Sequence, residues 1–442
     1  MADTAAHLVD RVFPVVPVRQ WVLTVPWALR YRMAYDAALT SDVLRELVRA
    51  VFASLRRRAR RGKNLGPKPR CGAVTFVQRF GDALNLNVHF HTLVLDGVFA
   101  DERFRPLPPP DDHEVLRVAA RIARRLAQLL RKRGLDRDGD PTEVDPLFRD
   151  DPLLASLAGA SVRGRVATGP RAGQAVLRLG DRIDAEDITD TAPEPPRCAT
   201  IAGVSLHANV CVPARDRERL ERLCRYVARP PLAGERMSVL DDGRLLYRLK
   251  RRWRDGTTHM VFEPLELIEK LAALVPPPRI NLVRYHGVLA PAARNRAGIV
   301  PGSAANNRTR TRDRCPCRRH DDRASRPGRP RVNPVTGVDP APGSGAMLDA
   351  EVDPTEPNPH PRHYTWHELM RRVFAVDVLK CPRCQGPMRI LAQIHPPDTT
   401  RAILECLGLP IRPPPVADSE PEIGPPLESF DDIQIEEFDP FA

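Results

Sequence analysis

Two spacings of apolar residues alternate along residues 1–300 and predict a fold of the α+β class. Alternation of apolar and polar positions predicts strands over residues 19–25, 72–80, 83–99 and 199–213. Apolar residues at helical spacing predict helices over residues 41–61, 113–134 and 214–228, and Asp255-Gly256 marks the turn of a hairpin. Residues 135–200 follow neither spacing and are interpreted as an insertion.

The first predicted helix begins at Ser41 and Asp42, which are side chains that can cap it, and ends in a basic loop over residues 56–70. The guanidinium groups of this loop are candidates for contacts with a DNA backbone. They belong to Arg56, Arg57, Arg58, Arg60 and Arg61.

Overall charge favours a polyanionic partner, because 68 lysines and arginines stand against 56 acids and give a net charge of +12. No apolar run approaches the length of about 18 residues that spans a membrane, and the N-terminus lacks the apolar stretch of a secretory signal. The nine cysteines are scattered and odd in number, so we expect a reducing cytoplasm rather than a disulfide framework.

Composition divides the chain into four parts. Residues 1–300 are predicted to form one folded domain, and residues 301–362, rich in Pro, Gly, Arg and Asp, a disordered linker. A small module with a CxxC motif is expected over residues 363–412. Residues 413–442 contain nine acids and no lysine or arginine, which predicts a disordered acidic tail that could compete with DNA for a basic surface.

A histidine pair is the sharpest chemical signal. On a strand, alternate residues face the same way, so one face carries Asn85, Asn87, His89 and His91, and the opposite face is apolar. Two imidazoles at this spacing can hold one metal ion. The alternative is a pair of hydrogen-bonding histidines on an exposed strand.

A third metal ligand has two candidates. His207 lies with Ser205 and Asn209 on one face of a later predicted strand, and it would complete the site if the two strands are neighbours. Gln78 is the rival. His207 could instead be a hydrogen-bonding partner inside a polar cleft.

Tyr226 is a candidate nucleophile at the edge of the apolar stripe of helix 214–228. Arg222 lies four residues earlier on the same side, and Arg229 follows if the helix continues. Guanidinium groups beside a phenol suit attack on a phosphodiester. The alternative is a tyrosine at the rim of an amphipathic helix.

Four segments together resemble the rolling-circle insertion-sequence transposases of the HUH class, which include the ISCR elements. They are RQWVLTVP (19–26), QRFGDALNLNVHFHTLVLDGVF (78–99), DRERLERLCRYVARPPLAGERM (216–237) and LVRYHGVLAP (282–291). The resemblance implies an RRM-like antiparallel sheet with packed helices, with residues 1–300 as the catalytic domain. It implies a bacterial protein of the cytoplasm, associated with the nucleoid.

The same resemblance implies the chemistry. His89 and His91 would bind Mg²⁺ or Mn²⁺, and Tyr226 would attack single-stranded DNA at the transposon ends and target, leaving a 5′-phosphotyrosine link. Trp21, Trp27 and Trp253 are candidates for stacking on unpaired bases, with burial in the core as the alternative for each.

Two departures from the family pattern qualify these expectations. Some relatives carry two tyrosines four residues apart, and Arg222 stands at the earlier position here, which predicts the single-tyrosine type. Relatives usually begin with a cysteine-rich zinc domain that this sequence lacks, so a truncated or decayed copy with DNA binding alone is one alternative function. A zinc-linked interaction protein is the other.

Cys381 and Cys384 form half of a zinc ribbon, and structural zinc needs four ligands. Cys406, His395 and the pair Cys315 and Cys317 are possible completions, none at a convincing spacing. The alternative is a turn with two free thiols.

Overall fold

The computed structural model describes residues 1–62, 69–100, 103–135, 145–180, 195–253, 255–301, 363–381, 383–389, 397–406 and 408. The predicted linker, except residue 301, and the acidic tail lie outside this part of the chain. The strands are β1 (Val18–Thr24), β2 (Gly72–Phe80), β3 (Leu86–Leu95), β4 (Gly97–Ala100), β5 (Arg103–Pro106), β6 (Leu177–Gly180), β7 (Cys198–Ile201), β8 (Val204–His207), β9 (Cys211–Val212), β10 (Met237–Val239), β11 (Leu245–Arg248), β12 (Thr257–Phe262) and β13 (Val283–Gly287).

The helices are α1 (Ala2–Arg11), α2 (Trp27–Tyr35), α3 (Ala37–Gly62), α4 (Asp112–Lys132), α5 (Pro146–Asp150), α6 (Pro152–Val162), α7 (Arg217–Val227), α8 (Pro264–Leu274), α9 (Trp366–Phe374) and α10 (Pro397–Cys406). The α+β class is therefore confirmed. Among the described helices, none combines the length and the apolar character needed to cross a bilayer.

An antiparallel sheet of seven strands forms the centre, in the order β13-β2-β3-β1-β8-β7, with β9 paired to β1. Strand β3 lies between β1 and β2 and is buried along its whole length. Its position explains why its polar side chains face protein on every side rather than water.

Helices cover both faces of this sheet. Leu86, Val88 and Phe90 of β3 pack on one face with α2, α3 and α4. Leu93 and Leu95 pack on the other face with α1 and α7. Full burial of such a side chain contributes about 1.5–3 kcal/mol, so the alternation along β3 fixes which face meets which helices.

Two predicted strands are each broken by a turn. The segment 83–99 is divided after Leu95, where a Cβ at Gly97 would lie 2.3 Å from the carbonyl oxygen of Arg105 in the hairpin β4–β5. The segment 199–213 forms three strands, because Ala202 and Gly203 adopt positive φ angles of 50° and 72° and reverse the chain between β7 and β8.

The predicted cap of helix 41–61 was wrong. The helix begins at Ala37, and the Asp36 carboxylate accepts a hydrogen bond from the amide of Leu39 at 2.7 Å. The Ser41 hydroxyl is already inside the helix and donates to the carbonyl oxygen of Ala37. The apolar spacing starts one turn later than the backbone helix does, which is why the pattern placed the start too late.

The segment 135–200 contributes to a second, four-stranded sheet. Its strand β6 pairs with β12 in the order β10-β11-β12-β6. This sheet contacts the main one where Ala83 and Leu84 pack against Tyr247. The loop that follows β11 is thereby brought beside the start of β3.

A buried ion pair stabilises the opposite end of β1 and β3. The Arg19 guanidinium donates to the Asp96 carboxylate at 2.8 and 3.0 Å and to the carbonyl oxygen of Ala208 at 2.9 Å. The side chains are 2% and 6% exposed. The pair therefore depends on both partners, because either charge alone would be buried without compensation.

Helix α9 packs against α1, and its Arg372 joins α1 to α7. Arg372 donates to Asp10 of α1 at 2.6 and 2.9 Å and to Glu221 of α7 at 2.6 Å. The Tyr364 hydroxyl also donates to Asp10, at 2.7 Å. We call this contact the Arg372 junction.

Candidate active site

His89 and His91 of β3 lie side by side on the face of the sheet that α7 covers. Their Nε2 atoms are 3.0 Å apart, and the side chains are almost completely buried. Two neighbouring ligands of an octahedral ion at about 2.1 Å are separated by about 3.0 Å. The pair is therefore already at the separation that one metal ion requires.

Hydrogen bonds orient both rings. The Nδ1–H of His89 donates to the carbonyl oxygen of Asn87 at 2.8 Å, which leaves the His89 Nε2 as an acceptor. The Gln20 amide of β1 donates to the Nδ1 of His91 at 2.6 Å. The His91 Nε2–H then donates to the His89 Nε2.

Reversal of the Gln20 amide would free both Nε2 atoms as ligands. The buried Gln20 Oε1 has no hydrogen-bond partner among the described residues. With its Oε1 towards Nδ1 of His91, Gln20 would accept a hydrogen bond from Nδ1–H. Metal-binding histidines commonly donate their other ring N–H to such an acceptor.

Burial keeps both imidazoles neutral, which is the form that binds metal. Desolvation lowers the pKa of His89 to about 4. Desolvation, with a smaller contribution from the neighbouring His89, lowers the pKa of His91 well below its ordinary value. Protons therefore do not compete for these nitrogens near neutral pH.

Gln78 lies closer to the histidines than His207 does. Gln78 is paired directly with His89 across β2 and β3. Val22 of β1 is paired with both His91 and His207, so one strand separates these two histidines. Because neighbouring strands lie about 4.8 Å apart, His207 is two strand spacings from His91, whereas Gln78 is one strand spacing from His89.

Buried atoms without partners favour a ligand here. The Gln78 Nε2 donates to the carbonyl oxygen of Val227 at 2.8 Å, and the Gln78 Oε1 has no partner. The Asn87 Oδ1 and the His207 Nδ1 are also buried without partners. Within the described chain no three His, Cys, Asp or Glu residues form a metal-binding group, so Gln78 would supply a third donor as an amide.

Tyr226 of α7 stands over this face of the sheet. Its ring is 6.2 Å from the His91 ring, centroid to centroid, at an angle of 81°. The Gln78 bond to Val227 ties the end of α7 to β2 beside it. The predicted histidine pair and tyrosine are therefore brought together, although they are far apart in sequence.

Two cations lie against the Tyr226 ring. The Arg229 Cζ is 4.2 Å from the ring centroid and the Lys250 Nζ is 4.6 Å from it. The buried Arg229 Nη1 has no hydrogen-bond partner in the described part. Such a nitrogen is suited to a phosphate oxygen, because it otherwise remains unsatisfied.

Arg222 points away from this arrangement. It is exposed, and its guanidinium lies 3.9 Å from Glu218 on the solvent side of α7. The two cations that contact Tyr226 lie outside α7. Arg229 follows the end of that helix, and Lys250 lies in the loop after β11.

The basic run lies on the far side of the sheet, since α3 packs against the face opposite the histidines. Arg57 and Arg58 are half-buried, and they donate to Glu114 at 2.5 Å and to the carbonyl oxygen of Pro108. Arg56, Arg60 and Arg61 are exposed. A DNA contact here would be separate from the site formed by the histidines and Tyr226.

Cys381 and Cys384 form a tight turn in which Gln385 has a φ of 59°. Backbone amides, first that of Cys384, donate to the Cys381 sulfur and lower its pKa. A thiolate is the form that binds Zn²⁺, so the zinc site stays a prediction for this turn. Cys406 is exposed on α10, and His395, Cys315 and Cys317 lie outside the described residues.

No sequence motif marks Lys250 or Gln20 as part of this site. The backbone amide of Lys250 donates to Asp82 at 2.9 Å, which anchors the loop after β11 just beyond β2. This long-range contact, together with the packing of Tyr247 on Ala83 and Leu84, brings Lys250 to Tyr226. Gln20 had a usable signal, because it is a polar residue next to the apolar run Trp21–Leu23 of a predicted strand.

Comparison with protein families gives one match. A family model described as "Putative transposase" matches residues 72–297, a range that contains His89, His91 and Tyr226. Comparison with curated proteins and with solved structures returned no match.

Proposed function

The chain belongs to the transposase family that it matches over residues 72–297, and from that premise we propose how it acts on DNA. It is a metal-dependent strand transferase that nicks and rejoins single-stranded DNA at transposon ends and target. Tyr226 is its single nucleophile. The HUH class, the RRM-like description of the sheet and the rolling-circle route belong to this proposal.

One observation carries the proposal. The Tyr226 ring lies 6.2 Å from the ring of His91, which is paired with His89, and two cations lie over the tyrosine ring. A structural tyrosine needs none of these neighbours. A tyrosine that attacks a phosphodiester needs all of them, because negative charge accumulates on the phenol oxygen and on the phosphate.

The reaction follows from this placement. The phenol oxygen of Tyr226 bonds to phosphorus and its proton leaves to solvent, while the bond from phosphorus to the 3′ oxygen breaks and that oxygen takes a proton. The products are a 5′-phosphotyrosine and a free 3′-hydroxyl. A 3′-hydroxyl later attacks the phosphotyrosine and restores Tyr226, so the bond energy is conserved for joining.

The surrounding residues bind and orient the phosphate. Arg229 and Lys250 contact its oxygens and stabilise the phenolate. His89 and His91, with Gln78 or His207 as third donor, would hold Mg²⁺ or Mn²⁺. The bound ion supplies Lewis-acid stabilisation of phosphate charge.

The test is adduct formation. Wild-type protein, Mg²⁺ or Mn²⁺ and a single-stranded oligonucleotide from the element's ends should give a covalent protein–DNA band. Tyr226→Phe should abolish the band and retain DNA affinity. Cleavage that persists in Tyr226→Phe would overturn the assignment of the nucleophile.

Two further outcomes separate the alternatives. In the double variant His89→Ala with His91→Ala, cleavage should fall more than binding, and an equal loss of both would mean that the pair is structural. DNA affinity without any wild-type adduct would identify a DNA-binding remnant. Bound zinc without DNA affinity would identify an interaction protein.

A further inference from the structure

A groove between α2 and the pair α5–α6 lies outside the nicking site. It encloses a cavity of about 820 Å³. Trp27, Tyr31 and Tyr35 lie four residues apart along α2 and form one stripe on its wall. Phe148 of α5 lines the groove as well.

The aromatic rings of this groove are open to solvent at two points. Trp27 is 43% exposed and Phe148 is 51% exposed. Trp21, by contrast, is buried in the core, which was the alternative to base stacking for that residue. Partly exposed aromatic side chains on a cavity wall can contact a planar ligand.

The charge of the groove favours a polyanion. Four arginines line it, and Asp145 is the only acid among the described lining residues. The Arg163 guanidinium lies over the Trp27 ring, 5.6 Å from its centroid, so a cation and an aromatic ring are paired on the wall of the groove. Arg133 is paired with Asp36 at 3.2 Å, which reduces its contribution.

Asp145 is turned into the wall. Its carboxylate accepts from the Tyr35 hydroxyl at 3.2 Å and from the amide of Leu147 at 3.0 Å. Burial, followed by Asp145, raises the pKa of Tyr35 to about 12. Burial also raises the pKa of Tyr31, so both tyrosines stay protonated and are suited to contact and stacking.

The groove is connected to the nicking site through one helix. Helix α2 follows directly on β1, whose Val22 is paired with His91. Arg30 of α2 is close enough to His89 to contribute to the lowering of its pKa.

We propose that this groove binds unpaired bases of a single DNA strand, which stack on Trp27 while Arg163 contacts the backbone. The inference rests on the proposed function, since it names a second contact for the same substrate. Aromatic rings beside arginines are the usual means of holding single strands without sequence preference. Duplex DNA keeps its bases stacked inside and would not use this wall.

The experiment measures the affinity of the full-length protein for a fluorescent oligothymidine strand of about 20 nucleotides and for a duplex of equal length. Trp27→Ala should weaken single-strand binding by about five- to a hundredfold, the range for the loss of one stacked base. Affinity for the duplex should be unchanged. Trp366→Ala is the matched control, because that ring is 60% exposed on α9.

A second variant makes the test independent of Trp27. Arg163→Glu reverses an exposed charge in the groove, and Arg124→Glu does the same on α4. Arg163→Glu should weaken single-strand binding more than Arg124→Glu does. Equal affinities in each matched pair would overturn the proposal.

Failure of this inference is distinguishable from failure of the nicking proposal. If wild-type protein forms the Tyr226 adduct but Trp27→Ala and Arg163→Glu behave like their controls, only the groove assignment is refuted. If no adduct forms while both groove variants lose single-strand affinity, the nicking proposal is refuted and the groove stands.

Discussion

Replacement of Gln78 separates two roles that the structure gives to one side chain. Its Nε2 donates to the carbonyl oxygen of Val227 and its Oε1 is buried without a partner beside His89. Gln78→Leu removes both functions. Gln78→Glu keeps an oxygen for a metal ion and loses the donor to α7.

The lost hydrogen bond sets the expected stability change. A buried carbonyl oxygen that loses its donor costs about 1–3 kcal/mol. For a domain of this size 1 kcal/mol lowers the melting temperature by about 2–4 °C. Both variants should therefore melt a few degrees lower, and both should cleave about a hundredfold more slowly, because a shift of the tyrosine by about 1 Å has that effect.

Metal dependence then distinguishes the variants. Gln78→Leu should raise the Mn²⁺ concentration for half-maximal adduct formation by at least about tenfold, the size seen even for residues that only orient a ligand. Gln78→Glu should leave it unchanged or lower it. Gln128→Leu, at an exposed position of α4, is the matched control. Equal metal requirements in Gln78→Leu and wild type would refute the role of Gln78 as a ligand.

Three further predictions concern charges. Arg229→Gln should slow adduct formation by about a hundredfold, as loss of one charge-stabilising donor does, whereas Arg222→Gln should match wild type in the same gel assay. Arg19→Met should lower the free energy of unfolding by about 3–5 kcal/mol because Asp96 is left buried and unpaired; denaturant titration should show recovery when Asp96→Asn is added, and no recovery would contradict the ion-pair explanation. Burial lowers the pKa of His286 to about 4. Its contribution to the free energy of folding is therefore fully present above the unfolded pKa of about 6.5 and is lost as the pH falls towards 4. His286→Gln should flatten the fall in melting temperature between these pH values, and equal slopes in variant and wild type would contradict the prediction.

Much of the fold was predictable because apolar and polar residues alternate in the sequence even along the buried strands. Gly72–Phe80 matches its predicted bounds, and Leu86, Val88 and Phe90 of β3 share one face that packs on α2, α3 and α4. Turns set by one backbone conformation were not predictable from alternation. Ala202 has a positive φ that alanine rarely adopts, so the pattern predicted β7 and β8 as one strand.

The candidate site divides in the same way. His89 and His91 share a face because of strand geometry alone, which the sequence contains. The approach of Arg229 and Lys250 to the tyrosine depends on how α7 ends and on where the loop after β11 is anchored. Arg222 satisfied the helical spacing, but spacing does not say that Glu218 attracts its guanidinium.

The Arg372 junction has a consequence for how a gene of this kind loses function. A stop codon between the codons for Val300 and Arg372 would leave every residue of the proposed nicking site encoded. It would also remove the guanidinium that joins Asp10 to Glu221, so the two carboxylates would lose their shared cation. Translation reaches Arg372 long after α7 has been synthesised, so the tyrosine helix acquires this support late. Damage in the distal part of the reading frame is therefore expected to weaken catalysis encoded upstream of it.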